Sequence, residues 1–305
     1  MNIGLILLAQ ISIMFLLVLI GFLLFKARFI SQQGTKELGS ILLYVIMPCV
    51  ILKALTAEST IAHLKEFKIA FLISFFVLLL SMIIARIIFG KKYKIEHFGA
   101  AFSNAGFIGI PLVQATLGNA AVLYIIPFIV MLNLLQWTYG VQVMTDDRKA
   151  IAGKQLIKNP VVLSMLVGLV VMAMRIEVPN IIFKTITYIS DMNAPVAMIV
   201  IGAYLAQVNF REIFKKKTVL TSSVVRLIVI PLITILLIGL VPQQYSQMKI
   251  AILIVAAAPI GSNVAVFAQK SGLDYAESVK EICVSTLLSI ITLPVIVMIG
   301  SYLWL

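Results

Sequence analysis

Charge is scarce in this chain. Lysine, arginine, aspartate and glutamate together make up 12% of its 305 residues, about half the share of an ordinary soluble domain. A water-facing surface cannot be covered, and a soluble enzyme is excluded. Only 12 residues are acidic and 2 are histidine. They form no H-E-x-x-H pattern and no nucleophile with a base beside it, so no catalytic residue, metal site or cofactor is expected. The two cysteines, Cys49 and Cys283, lie inside apolar runs and read as small core residues rather than a disulfide framework or metal ligands. Nor does the net charge of +12 point to nucleic acid, because the basic residues sit in short, separated clusters.

What the chain has instead is apolar length. Hydrophobic residues reach 62%, and runs of about 20 recur throughout, the length that crosses a ~30 Å hydrocarbon core. Ten such segments can be drawn, near 3 to 25, 38 to 56, 67 to 89, 98 to 117, 120 to 143, 160 to 174, 185 to 206, 218 to 240, 248 to 268 and 281 to 304. An all-α integral membrane protein of ten transmembrane helices is the expectation. The first segment has no basic lead and runs too long for a signal peptide, so it is read as a retained span. Counting lysines and arginines in the connections gives sixteen on one side, including Lys26, Lys36, Lys91, Lys154, Lys158, Arg211, Lys216 and Lys270, against five on the other. This bias puts the odd connections in the cytoplasm, both termini outside, and the chain in the cell membrane as a multi-pass protein.

The basic stretch at 146–159 divides the chain into five spans at 1–145 and five at 160–305. Five is odd, so the halves insert in opposite orientations as inverted repeats. Pro48 in the second span answers Pro195 in the seventh. The fourth span holds Asn104, Gly106, Gly109 and Pro111, and the ninth holds Pro259, Gly261, Ser262 and Asn263. Proline removes a backbone donor and glycine weakens the helix, so each cluster predicts a break at mid-membrane. Small residues and prolines also serve plain packing and kinking. Matched breaks in two inverted halves point further, to a secondary transporter with its binding site between them.

The pattern N-x-G-x-x-G-I-P-L in the fourth span, with A-P-x-G-x-x-x-x-V-F-A in the ninth, resembles the auxin efflux carrier family, whose relatives include plant PIN transporters and bacterial malate and malonate permeases. The resemblance spans essentially the whole chain. It implies that helices four and nine cross, that spans 1, 2, 6 and 7 form a scaffold, that spans 3–5 and 8–10 form a mobile transport unit, and that a homodimer works by an elevator-like motion. Asn104 and Pro111 carry over to the first crossover and Pro259 to the second. Where PIN proteins have a second proline, this chain has Val264, preceded by Asn263. It has no long central hydrophilic loop, so regulation through such a loop is not implied.

Isolated charges complete the reading. Arg226 lies about nine residues, roughly 13 Å, into the eighth span and is assigned to anion attraction or pairing. Asp191 is read as the one acid within a span, either a proton or sodium site or the partner of Lys53. His97 and His63 are expected to be solvated. Broken helices aim positive N-terminal ends at a bound anion, helped by asparagine donors. The function expected is transport of a small organic anion such as malate or malonate by alternating access. Export of auxin-like aromatic acids, or an anion channel on the same scaffold, are the alternatives.

Overall fold

Without water in the bilayer, each apolar run must close its backbone hydrogen bonds internally, and helices do so. A computed structural model of the chain describes residues 3–56, 64–146, 159–209 and 216–304. Most of the connection at 146–159, the stretch with His63, and Arg211 and Lys215 lie outside the described residues.

Among the described residues seven helices are long and apolar enough to cross a membrane: α1 (Ile3–Lys26), α2 (Gln32–Thr56), α3 (Leu64–Phe89), α6 (Asn119–Thr145), α8 (Asn180–Ala206), α9 (Lys217–Gly239) and α12 (Tyr275–Trp304). Between them lie α4 (Lys94–Ala101), α5 (Ala105–Leu117), α7 (Pro160–Ala173), α10 (Ser246–Ala256) and α11 (Asn263–Lys270). No strand occurs among the described residues, only one isolated bridge between Ser103 and Ile260.

Close packing follows the glycines. A Cβ on Gly202 of α8 would fall 2.0 Å from the Val18 carbonyl of α1, and one on Gly21 2.3 Å from the Ile199 carbonyl, so these two backbones touch. Gly168 of α7 faces Leu55 of α2 in the same manner, 2.7 Å from Cβ to Cδ1. α3 also packs on α6, and α9 on α12, without glycines at the contact. At the centre, α10 is buried at every position from Met248 to Ala256, including Lys249, whose ammonium lies 5.4 Å over the Trp304 ring.

Three helices widen into a π-helical turn just before a proline: Leu42–Ile46 before Pro48, Ala105–Gly109 before Pro111, and Val225–Val229 before Pro231. The proline ring crowds the carbonyl four residues back and offers it no donor, and the wider turn absorbs both defects.

The helix ends correct two expectations. α12 begins at Tyr275 and α4 at Lys94, each earlier than the apolar pattern placed them. Asp191 is therefore not the one acid within a helix of the bundle, since Glu96, Glu277 and Glu281 are buried in α4 and α12. His97 is not solvated. It is fully buried, its Nδ1 at 2.8 Å from the Gly90 carbonyl and its Nε2 at 2.8 Å from the Tyr139 hydroxyl. Polar residues ended the apolar runs on paper, but neighbouring helices supply the partners that let them stay inside.

Candidate functional site

The site grows from two interruptions. α4 ends at Ala101 and α10 at Ala256, and after each the chain is unwound. The unwound stretches run antiparallel: Asn104 N–H donates to the Pro259 carbonyl at 2.7 Å, and Gly261 N–H to the Phe102 carbonyl at 3.1 Å. Backbone groups freed by the breaks thus satisfy one another, which is what permits breaks at this depth. A Cβ on Gly261 would lie 3.1 Å from the Ser103 carbonyl, so glycine is what lets the two unwound stretches approach.

Side chains extend the contact. Asn104 Nδ2 donates to Ser262 Oγ at 3.2 Å, and Asn263 Nδ2 to Gln136 Oε1 at 2.8 Å. Asn193 of α8 donates from Nδ2 to the Gly106 carbonyl at 3.1 Å. A cavity of about 30 Å³ lies among Ser103, Asn104, Gly106, Asn133, Gln136, Gly261, Ser262 and Asn263, with Met47 closing one side. Buried oxygens there, Ser103 Oγ and Asn133 Oδ1, have no partner.

Both helices that leave the breaks begin at this cavity. The first intrahelical bond of α5 is Ile108 N–H to the Asn104 carbonyl, so the amides of Ala105, Gly106 and Phe107 have no intrahelical acceptor. α11 starts at Asn263 after Ser262. Two positive helix ends and a set of neutral amides and hydroxyls therefore converge, a setting that favours an anion.

The negative ends meet elsewhere, and there lies Arg226. Its Nη1 donates to the carbonyls of Ala100 at 3.1 Å and Ala101 at 3.4 Å, and its Nη2 to that of Ala256. One fully buried guanidinium thus caps the last carbonyls of both α4 and α10. Arg226 does not line the cavity.

Of the other expected residues, Gly106 lines the cavity but also faces Met47, whose Cε would be 2.7 Å from an added Cβ. A Cβ added to Gly109 would fall 2.7 Å from Val255 of α10, Pro111 sits in the first turn of the α-helical part of α5, and Pro259 contributes its carbonyl. Asp191 Oδ1 pairs with Lys53 Nζ at 2.7 Å, joining α2 to α8 with the carboxylate 58% exposed and away from the cavity. Asn133, Gln136 and Asn193 were missed. The first two stand three residues apart, on one face of an otherwise apolar run, which is a legible signal for an inward-facing polar pair.

A larger chamber of about 190 Å³ adjoins the crossover, sharing Leu43, Phe107, Ser262 and Asn263 with the small cavity. Its mouth carries Lys36 and Lys270, the first 5.4 Å over the ring of Tyr275 and the second 4.7 Å over that of Trp137.

A family model described as Membrane transport protein matches residues 6–297. An uncharacterized transporter of Methanocaldococcus jannaschii is 24% identical over 210 residues, which cover 64% of this chain and 67% of that one.

Proposed function

The chain belongs to the Membrane transport protein family, that of the auxin efflux carriers, and so is a multi-pass transporter and not an enzyme; from that premise we propose that its cargo is a small organic anion of the malate or malonate class, carried by alternating access. One observation carries this reading: two helix N-termini and the amides of Asn104 and Asn263 converge on a cavity that continues into a lysine-mouthed chamber. The chamber is smaller than the ~300–1,000 Å³ of drug-sized pockets, which suits a small acid. Lys36 and Lys270 raise the local concentration of anions at the mouth.

The same proposal takes the chain as ten spans in two inverted halves, with α4–α5 and α10–α11 each counted as one broken span. α1, α2, α7 and α8 are the scaffold, and the remaining helices move against it as an elevator. Its support is the pairing: α1 on α8 is the counterpart of α7 on α2, and α3 on α6 of α9 on α12. The lysine-rich side, with Lys36, Lys216 and Lys270, faces the cytoplasm, so this is an inward-open form. A second reading, an auxin-like aromatic acid, draws on Tyr44, Trp137, Phe267 and Tyr275 around the chamber.

Counterflow of labelled malonate into malonate-loaded proteoliposomes should saturate, which separates a carrier from a channel. Asn104→Ala and Asn263→Ala, purified monodisperse, should each bind malonate on the order of ten- to a hundredfold more weakly by calorimetry, the worth of a hydrogen bond to a charged group. Parental affinity in both folded variants removes the crossover from the binding site.

A further inference from the structure

Glu281 is 0% exposed, two turns into α12, and no feature of the anion site uses it. Its Oε2 accepts the Ser222 hydroxyl of α9, while Oε1 is buried with no hydrogen-bond partner. An added Cβ on Gly99 would lie 3.4 Å from Oε2, so α4 packs directly on the carboxyl. The charged groups around it are Glu96 on α4, Glu277 one turn earlier on α12 and Lys216 ahead of α9. Lys216 is committed to Glu277 in an ion pair. Arg226, one turn along α9 from Ser222, is committed to the three carbonyls it caps. Among the described residues no lysine or arginine nitrogen lies within ion-pair distance of Glu281.

An ionised carboxylate in such a place, with two acids for neighbours and one hydroxyl for solvent, is far costlier than the neutral acid. Nor is a cluster of acidic or soft metal ligands gathered around it: no group of three or more histidine, cysteine, aspartate or glutamate side chains that could hold a metal ion occurs among the described residues. A single proton neutralises the carboxyl where it stands and gives the unpartnered Oε1 its hydrogen. A path for it follows one face of α12, where Glu277, Glu281 and Ser285 recur at every fourth residue. At one end the Lys216–Glu277 pair reaches water, the lysine being 48% exposed. At the other, Ser285 Oγ accepts Ile260 N–H at 3.1 Å, inside the crossover, and donates to the Glu281 carbonyl at 2.8 Å. Glu281 is thus roughly 6 Å of helix from the backbone that frames the anion site.

The geometry points to Glu281 as a proton-carrying site that couples anion movement to a proton. This inference rests on the transport reading above. The step is a proton transfer alone: the carboxylate takes a proton from water by way of the Glu277 end, becomes the neutral acid, and returns it to water after the transport unit has crossed. A bound anion and an ionised Glu281 repel, so each of anion and proton favours the other's binding, and both travel in the same direction.

The test uses the full chain in proteoliposomes with malonate as probe and a pH dye inside, together with infrared spectra of the same protein. A protonated buried carboxyl band is expected at neutral pH and should vanish in Glu281→Gln, whose amide keeps an acceptor for Ser222. Inward malonate flux should acidify the lumen in the parent, and in Glu281→Gln the acidification per malonate carried should be lost. Ser222→Ala, which removes the one hydroxyl on the carboxyl, should shift the band and keep it. If the parent lacks the band, or if Glu281→Gln acidifies the lumen as the parent does, the proposal is overturned. A band present in a parent that moves no malonate overturns the choice of cargo and leaves the proton on Glu281 standing.

Discussion

Arg226 shows how a buried charge can find its partners in main-chain groups that a single segment of sequence does not reveal. Its position inside an apolar run marked it as a charge in need of company, and the company turns out to be three carbonyls at two helix ends. Arg226→Ala strands those buried acceptors, each worth about 1–3 kcal/mol. The melting temperature of the purified variant should fall by roughly 3–8 °C, an estimate from a loss of about 2–5 kcal/mol at ~2.1 cal/mol/K of unfolding entropy per residue. Arg226→Lys should recover only part, because a single ammonium cannot span both α4 and α10 as the guanidinium fork does. Thermal melts of the three proteins check this, and a parental melt for Arg226→Ala refutes the capping role. Asn104 and Asn263 were legible because polar amides in hydrocarbon require a reason. Glu281 was not, because Glu277, Lys280 and Glu281 together look like the end of a span. Only the packing of α4 and α9 shows that this turn is interior.

At the scale of elements, the clusters of glycine and proline announced both interruptions, since no other local chemistry loosens a helix so cheaply. Their individual reasons were hidden. Gly109 yields room to Val255, Gly106 to Met47 and Gly261 to the unwound stretch opposite, and these are facts about a neighbour that one sequence segment does not contain. The contact of α1 with α8 is the most demanding of the kind. At 2.0 Å from Val18 O, a methyl on Gly202 forces the two backbones apart. Gly202→Ala should therefore lose several kcal/mol of stability, as overpacking against unyielding backbone does. Gly239→Ala, with nothing within 4 Å, should be neutral or slightly stabilising. Comparing their yields and melts by size-exclusion chromatography reads the difference, and equal behaviour would contradict the close approach.

Across the whole molecule, α12 serves as a measuring rod. Its 30 residues extend about 45 Å. Near its start Glu277 pairs with Lys216, and at its end the Trp304 carbonyl accepts Gln243 Nε2. The two ends of α9 are therefore pinned at opposite ends of the bundle, and if the lysine bias sets the orientation, Lys216 is cytoplasmic and Tyr245 external. Single cysteines at 216 and 245, in a background lacking Cys49 and Cys283, should show this in intact cells: an impermeant maleimide labels 245 strongly and 216 only after permeabilisation. Strong labelling of both from outside would undo the orientation.

The crossing of the two unwound stretches is made by main-chain atoms. Asn104 N–H on Pro259 O and Gly261 N–H on Phe102 O hold whatever side chains Ser103, Ser262 and position 263 carry. Frame and lock are thereby written in separate alphabets. Substitutions at those positions can therefore redraw the lining of the cavity without first having to rebuild the main-chain knot that carries it.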